Sequence, residues 1–327
     1  RAWLMQQIAD AKLESFLDGA ANLHARLGWR RDVPSVMTGS HIDSVPGGGH
    51  LDGALGVLAG LECLQRINEL DLKPKRPMES IAFSDEEGRF GGIFGSRAIC
   101  GHLTPESIHG ARDLNGLTLS EVMATQGLNA MDALSATRQP ESIHAFVELH
   151  IEQGPILERQ NLHLGAVDAV AGLFKWNVRL SGAAAHAGAT PMDMRQDAFQ
   201  GLAEFSMELN RVIEEHGSPR SVATIGRVEL SPGAANVVPN LAEFSLDVRD
   251  TDANTLQALG DAMRRTLSAI ARRRQLMFEF DVLSEIDPVK CDNRIIQMVE
   301  RTSRALGINT TRMASGAAHD TQIMASI

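Results

Sequence analysis

Tyrosine is absent from this 327-residue chain, and aromatic residues make up only 4% of it. So few rings argue against aromatic cages and base-stacking platforms as a means of binding. Basic residues are outnumbered: 31 Lys and Arg against 41 Asp and Glu give a formal charge of −10. A nucleic-acid partner needs clustered cations, and none is expected here. The run Arg272-Arg273-Arg274 is one short patch and reads as the solvated end of a helix. Cysteine is scarce too. Cys63, Cys100 and Cys291 stand far apart in no paired motif, which gives no disulfide framework and suits a reducing cytoplasm. No apolar run approaches the ~20 residues of a membrane span, so no membrane partner is expected. No signal peptide is visible. The chain opens at Arg1 within a helix-like stretch and stops at Ile327 just past a candidate motif, so both ends read as cut from something longer.

What remains is enough for two domains with a substantial core. Apolar spacing predicts a helix over 1–17, through Leu4, Ile8, Leu13 and Leu17, and another over 52–70. Strands are predicted at 22–27, 35–38, 78–83 and 145–151, with shorter helical pieces between them. Strands separated by helices suggest a mainly parallel or mixed sheet with helices on both faces. The pattern changes near Gly172. Phe174, Trp176, Val178 and Leu180 alternate with Lys175, Asn177 and Arg179, as in a half-buried strand. The order that follows, with helices at about 195–215 and 252–273 and strands at 221–230, 241–248 and 277–283, is β-α-β-β-α-β, a ferredoxin-like unit. The expected organisation is a catalytic domain of residues 1–171 and 285–327, interrupted by an inserted domain of residues 172–284. The helix at 292–306 and the segment around His319 are expected to return to the first sheet.

Several apolar runs end in a histidine or a carboxylate. Val33 to Met37 leads to His41 and Asp43, then to Asp52 beyond a glycine-rich loop. Met78 to Phe83 leads to Asp85-Glu86-Glu87, and Ala145 to Leu149 leads to His150. His319-Asp320 lies near the C-terminus. In open α/β sheets, ligands gather at the carboxyl ends of strands. Two histidines with carboxylates suit zinc or a similar divalent ion, and a bridging carboxylate lets two ions sit roughly 3.5–4 Å apart. Adjacent Glu86 and Glu87 are awkward as two ligands of one ion, so one as ligand and one as general base is the better division. Singly, each residue has a plainer reading: a core histidine for His41, a helix cap for Asp52, a solvated turn for Glu86-Glu87. The set carries the argument.

The motifs G-S-H-I-D-S-V (39–45), L-D-G (51–53), F-S-D-E-E-G-R-F (83–90), F-G-S-R (94–97), E-L-H-I-E-Q-G-P (148–155), H-A-G-A-T-P-M-D-M-R-Q-D (186–197), P-G-A-A-N-V-V-P (232–239), D-V-R (247–249) and S-G-A-A-H-D (315–320) run through nearly the whole chain. By them the chain resembles the dinuclear-zinc amidohydrolases that include N-carbamoyl-L-amino acid hydrolases, allantoate amidohydrolases and β-ureidopropionases. These belong to a wider superfamily of metallo-carboxypeptidases and aminoacylases. The resemblance implies a metallo-aminopeptidase-like catalytic domain with a mixed sheet flanked by helices, and an inserted ferredoxin-like lid and dimerisation domain. It implies two divalent ions, zinc in the first place, though imidazole and carboxylate also accept manganese, cobalt or nickel. His41, Asp52 and His150 are implied to hold one ion, and Asp52, Glu87 and His319 the other, with Asp52 bridging. Glu86 is implied as general base, and Asp43 and Asp320 as partners that orient the ligand histidines. His186 is implied to stabilise the oxyanion in the partner subunit's site of a homodimer. Gln153, Asn236 and Arg249 are implied to hold the carboxylate of a small ureido substrate. The implied reaction is hydrolysis of a carbamoyl C–N bond, releasing carbon dioxide and ammonia. A dipeptidase or acylaminoacid deacylase of the same superfamily is the alternative, and a non-catalytic binding protein the more distant one. Where the family commonly has one more residue between Gly88 and Arg89, this chain does not, so that turn is expected to differ.

Overall fold

Leu4 and Ile8 bury one face of helix α1 (Ala2–Asp10), but that helix does not continue to Leu17 as its apolar spacing suggests. The chain reverses at Lys12, whose φ of 56° is left-handed, and Glu14–Leu17 becomes strand β1. Pairing with strand β2 (Leu23–Leu27) decides the matter. Phe16 stacks on His24 at 4.3 Å, and the Arg26 guanidinium lies 3.9 Å over the Phe16 ring. Cross-strand packing of this kind outweighs a weak helical preference.

The computed structural model describes all 327 residues, which fall into two compact units, Arg1–Ile156 with His319–Ile327, and Leu157–Ala318. In the first unit, β3 (Ser35–His41), β4 (Met78–Phe83) and β5 (Ile143–Val147) join β1 and β2 in a five-stranded sheet of order β1-β2-β4-β3-β5. The β3–β4 and β3–β5 pairs are parallel, and the β1–β2 and β2–β4 pairs antiparallel, so the sheet is mixed as expected. Helix α2 (Ala54–Glu69) crosses from β3 to β4 and packs Val57, Leu61 and Leu64 with Leu4, Ile8, Leu23 and Ala25. Helices α3 (Phe94–Ile99), α4 (Pro105–Gly110) and α5 (Leu119–Thr125) follow β4, the last two closed by Thr capping boxes. A short C-terminal helix, Asp320–Met324, completes the unit.

The second unit begins in α6 (Ile156–Arg159) and β6 (Leu164–Val170), followed by β7 (Gly172–Ser181), β8 (Ala185–His186) and α7 (Ala198–His216). Next come β9 (Val222–Thr224), β10 (Val228–Ser231), β11 (Val237–Val238) and β12 (Leu241–Asp250). Helix α8 (Ala253–Arg273), β13 (Met277–Ile286), β14 (Val289–Lys290), α9 (Asn293–Ala305) and β15 (Thr310–Ser315) complete it. The strand predicted at 221–230 is two short strands, both paired with β12. The sheet β10-β12-β7-β13 has the expected β-α-β-β-α-β order. Phe174, Trp176, Val178 and Leu180 of β7 and Ala242, Phe244, Leu246 and Val248 of β12 face one core with α7 and α8, as the alternation requires. Strands β14, β6 and β15 form a separate three-stranded sheet, so α9 and β15 do not add to the first sheet. Strand β6, which no apolar pattern at 164–170 predicts, receives β15 instead. No helix is long and apolar enough to cross a membrane, and all three cysteines are unpaired.

The first sheet buries a charged cluster away from its carboxyl edge. Glu79 is fully buried and accepts from His24 Nδ1 at 2.7 Å and Arg26 Nε at 3.2 Å, with Arg138 Nη1 at 3.3 Å. His24 Nε2 lies 3.2 Å from Asp18. Burial opposes protonation of His24, but its hydrogen bonds to Asp18 and Glu79 and their charges overcome this and raise its pKa above 6.5. Burial likewise opposes ionisation of Glu79, yet His24, Arg138 and Arg26 carry it down to about 2. A raised histidine stabilises the fold below its unfolded pKa and loses that contribution as pH rises through its folded value. A depressed carboxylate stabilises above its unfolded pKa and loses its contribution as pH falls. Both contributions are in force between the ordinary values of 4.5 and 6.5. We expect Glu79→Gln to cost about 3–5 kcal/mol near pH 5.5 in urea unfolding, the usual range for breaking a buried pair. The difference from the native chain should shrink as pH rises past the folded value of His24. A difference that grows with alkaline pH would refute the charge assignment.

Candidate metal centre

The carboxyl ends of β3 and β4 are in register, His41 opposite Phe83, and this places His41 beside the turn that carries Asp85, Glu86 and Glu87. That turn is held by Asp85, itself at φ 53°, whose carboxylate accepts from Arg89 N at 2.8 Å and Phe90 N at 3.0 Å. Asp85 thus closes the turn. Asp52 stands just before α2, whose first residue follows Gly53. Gly53 has φ 61°, and a Cβ there would lie 2.5 Å from the His41 ring, so a side chain is excluded on both grounds. His150 lies three residues beyond the end of β5, in irregular chain rather than at the strand end predicted for it.

Two sets of ligand atoms converge within 4.8 Å: His41, Asp52 and His150, and His41, Glu86 and Glu87. Asp52 Oδ1 is 3.0 Å from His150 Nε2 and 3.8 Å from His41 Nε2, and His41 Nε2 is 3.6 Å from Glu86 Oε2. The ring centroids of His41 and His150 are 5.7 Å apart, and those of His150 and His319 4.3 Å. His319 therefore joins the cluster on the His150 side. Asp52, Glu87 and His319 do not close into a set as tight as the other two. Burial, then the neighbouring His150 and His41, hold the His319 imidazole down at about 3, so it is neutral and able to donate a lone pair.

The partners of these ligands leave their inward atoms available. His41 Nδ1 faces the carbonyl oxygen of Asp43 at 3.0 Å, and His150 Nδ1 that of Ile151 at 3.0 Å. In each ring Nδ1–H donates outward and Nε2 points into the cluster, the tautomer a ligand histidine needs. The Asp43 carboxylate stands 3.9 Å from His41 and accepts instead from Glu87 N at 3.1 Å. Asp43 thus bears on His41 through its main chain and on Glu87 through its side chain. Gln153, at φ 57°, donates to Asp52 Oδ2 at 2.6 Å. Asp320 is fully buried beside His319, and burial, then the charge of Glu148, hold its carboxyl well above the usual range. Burial also raises Glu86 to about 7, with Glu87, Asp43 and Glu148 acting in the same direction and His41 against.

Asp52 Oδ1 is buried and makes no hydrogen bond, although two imidazoles are directed at it. An orphaned carboxylate oxygen inside a histidine cluster is costly unless a cation sits among the ligands. The donor set, imidazole nitrogen with carboxylate oxygen, fits a divalent ion such as zinc. Glu148 was not singled out from the sequence, although it lies within the 148–155 motif. Its carboxylate spans Ser40 and Thr321.

In the second unit, His186 and Asn236 meet on the β8–β11 ribbon. His186 pairs with Val237, and Asn236 O accepts from Ala187 N at 2.9 Å. His186 Nδ1 accepts from Gly188 N and Ala189 N, each at 3.1 Å, which leaves the exposed Nε2 as its donor. Arg249 lies on β12. Its Nε and Nη2 grip Asp247, and its Nη1 donates to Gly316 O at 2.7 Å.

A mixed α/β unit in which His41, Asp52 and His150 converge beyond the strands is the arrangement of a candidate metal centre. The chain belongs to the peptidase family M20/M25/M40, whose pattern matches residues 37–327 and whose enzymes are metal-dependent. It is 40% identical over 315 residues to the N-carbamoyl-L-amino acid amidohydrolase of Geobacillus stearothermophilus, covering 95% of this chain and 76% of that protein. It is 33% identical over 323 residues to the allantoate amidohydrolase of Escherichia coli, covering 98% and 78%. Among solved structures, an amidase of the hydantoinase/carbamoylase family from Burkholderia multivorans superposes with a TM-score of 0.92 at 31% identity, over all of this chain and 79% of that one. The expected family and the mixed α/β fold with helix-flanked sheets are borne out.

We expect Gly53→Ala to displace the His41 ring and weaken divalent-cation binding by about tenfold or more, with the far-ultraviolet spectrum unchanged. Titration calorimetry of the metal-free protein with zinc measures this. Native affinity in the variant would contradict the placement of His41 as a ligand.

Proposed function

We propose that this chain is a metal-dependent amidohydrolase that cleaves the carbamoyl C–N bond of a small ureido carboxylate, of the N-carbamoyl-L-amino acid, allantoate or N-carbamoyl-β-alanine type. The observation that carries this reading is the convergence of His41, Asp52 and His150 with Glu86 and Glu87. The likeness to carbamoyl amidohydrolases over almost the whole chain supports the choice of bond. His41, Asp52 and His150 would hold one ion, and Glu87 and His319 with Asp52 a second. Bound divalent ions supply Lewis-acid polarisation and a more acidic water.

The chain's own residues do the rest. Glu86, held near neutrality by burial, takes the proton from the attacking water. The same carboxyl then protonates the leaving nitrogen, and the released carbamate gives carbon dioxide and ammonia. His186, with Nε2 as its donor, stabilises the oxyanion formed at the carbamoyl carbon. Arg249, with Asn236 and Gln153, is assigned to the substrate carboxylate, which would displace the Asp247 carboxylate that the guanidinium fork now grips. We assign residues 172–284 as a lid and dimerisation domain, and place His186 in the site of the partner subunit. Three unpaired cysteines support a cytoplasmic setting.

Ammonia release from the three ureido substrates tests the reaction class. Release from none of them, with cleavage of dipeptides or acylamino acids, would favour a dipeptidase or deacylase. Glu86→Gln is expected to keep its metal and lose ~10²–10⁴ in turnover. His186→Ala should lose ~10²–10³. Mixing these two inactive variants should restore about a quarter of native activity through subunit exchange, because one intact site forms in each mixed dimer. A mixture that stays inactive after proven exchange would place His186 in its own subunit's site.

A further inference from the structure

The three histidines of the cluster sit on segments far apart in sequence, and one side chain touches all three segments. Glu148 lies two residues before His150. Its Oε1 accepts from Ser40 Oγ at 2.6 Å, next to His41. Its Oε2 accepts from Thr321 N at 2.8 Å and Thr321 Oγ1 at 2.6 Å, two residues after His319. Every one of these is a charge-assisted bond in the short, strong range.

We propose that Glu148 is a positioning residue that fixes the three histidine-bearing segments in mutual register, and through that register sets the affinity of the site for divalent cations. The second half of the proposal rests on the metal reading given above; the first does not.

The C-terminal segment has most need of such a tie. Its helix, Asp320–Met324, has only five residues, too few to hold itself in water. Met324 packs with Ile99 and Cys100, and the Cys100 thiol reaches Ile323 O at 3.4 Å. These contacts hold the far end of the helix. Glu148 holds the first turn, where His319 is the capping residue. Without that bond the helix can still pack, but the chain beside His319 loses a tether, and a ligand out of place by an ångström no longer shares its ion.

The side-chain chemistry gives a discriminating pair of variants. In Glu148→Gln the amide oxygen can still accept from Thr321, and the amide nitrogen can donate to Ser40 Oγ, since a hydroxyl works in either sense. Glu148→Leu keeps the bulk and loses every bond. In metal-free protein, amide exchange over 320–324 should quicken about tenfold or more in the Leu variant and stay close to native in the Gln variant. Zinc affinity by calorimetry should fall about 10–100-fold in the Leu variant and largely recover in the Gln variant. Thr321→Val, which removes one bond at constant shape, should give a smaller change in the same direction and serves if the Leu variant fails to fold. Native exchange over 320–324 in the Leu or Val variant overturns the clamp. Faster exchange with native zinc affinity overturns its link to the ions. If the unmodified chain takes up no divalent cation, the metal reading fails with that link, and the exchange result alone decides the clamp.

Discussion

The buried oxygen Asp52 Oδ1 is the point on which this architecture turns. Two imidazole nitrogens stand 3.0 and 3.8 Å from it, on rings whose other nitrogens are committed to main-chain carbonyls. No hydrogen bond satisfies it. A fold that spent this much burial on unpaired polar atoms with nothing to put between them would be expected to relax them apart. The donor set, imidazole nitrogens facing a carboxylate oxygen, suits a divalent cation. The parallel register of β3 and β4, the glycine at 53 and the strained conformations at Asp85 and Gln153 then read as its supports.

Charge explains why the supports must be rigid. Asp43, Asp52, Glu86, Glu87, Glu148 and Asp320 crowd one edge of the first sheet, in a chain already at −10. Burial first, and like charges close by second, disfavour ionisation here: they raise Glu86 to about 7 and Asp320 well above its usual range. The cluster at Glu79 is the contrast. There two arginines and a histidine surround a buried carboxylate and carry it down to about 2. One sheet therefore holds two kinds of buried acid. The one away from the carboxyl edge is neutralised by the chain's own cations, and the group at that edge is left short of them.

Much of this was legible in the sequence, and what was not has physical causes. His41 and the Glu86-Glu87 pair were readable because an apolar run ending in a ligand is a local signal, and β4 has the predicted bounds. The alternation of β7 was equally plain. Leu13 and Leu17 misled because a four-residue spacing fits a helix, while the stack of Phe16 on His24 that favours strand from Glu14 is a tertiary contact. His150 was read onto a strand that ends at Val147, since an apolar run does not show where its hydrogen-bonded neighbour stops. Strand β6 went unread, and with it the sheet that receives β15. Its sequence, Leu164–Val170, is broken by Gly165, Ala166 and Asp168 and has no clear period. Asp43 was expected to orient a histidine; its main-chain carbonyl faces the His41 ring at 3.0 Å and its carboxylate stands 3.9 Å away, a distinction only backbone geometry supplies.

Glu148 marks the limit of reading along a chain. Its partners lie 108 and 173 residues away, so no window of sequence contains the relation. Its identity is unremarkable, one acid among 41. What distinguishes it is that neither oxygen is turned toward the cluster's imidazoles. Both are spent on hydroxyls and a main-chain N–H at the flanks of the histidines, so it adds negative field to an acidic edge without adding a ligand. Its charge adds to burial in raising Glu86 and Asp320, while its bonds secure the segments that carry the donors. An edge built this way favours cation uptake twice over, by the field it presents and by the geometry it has already settled before any ion arrives.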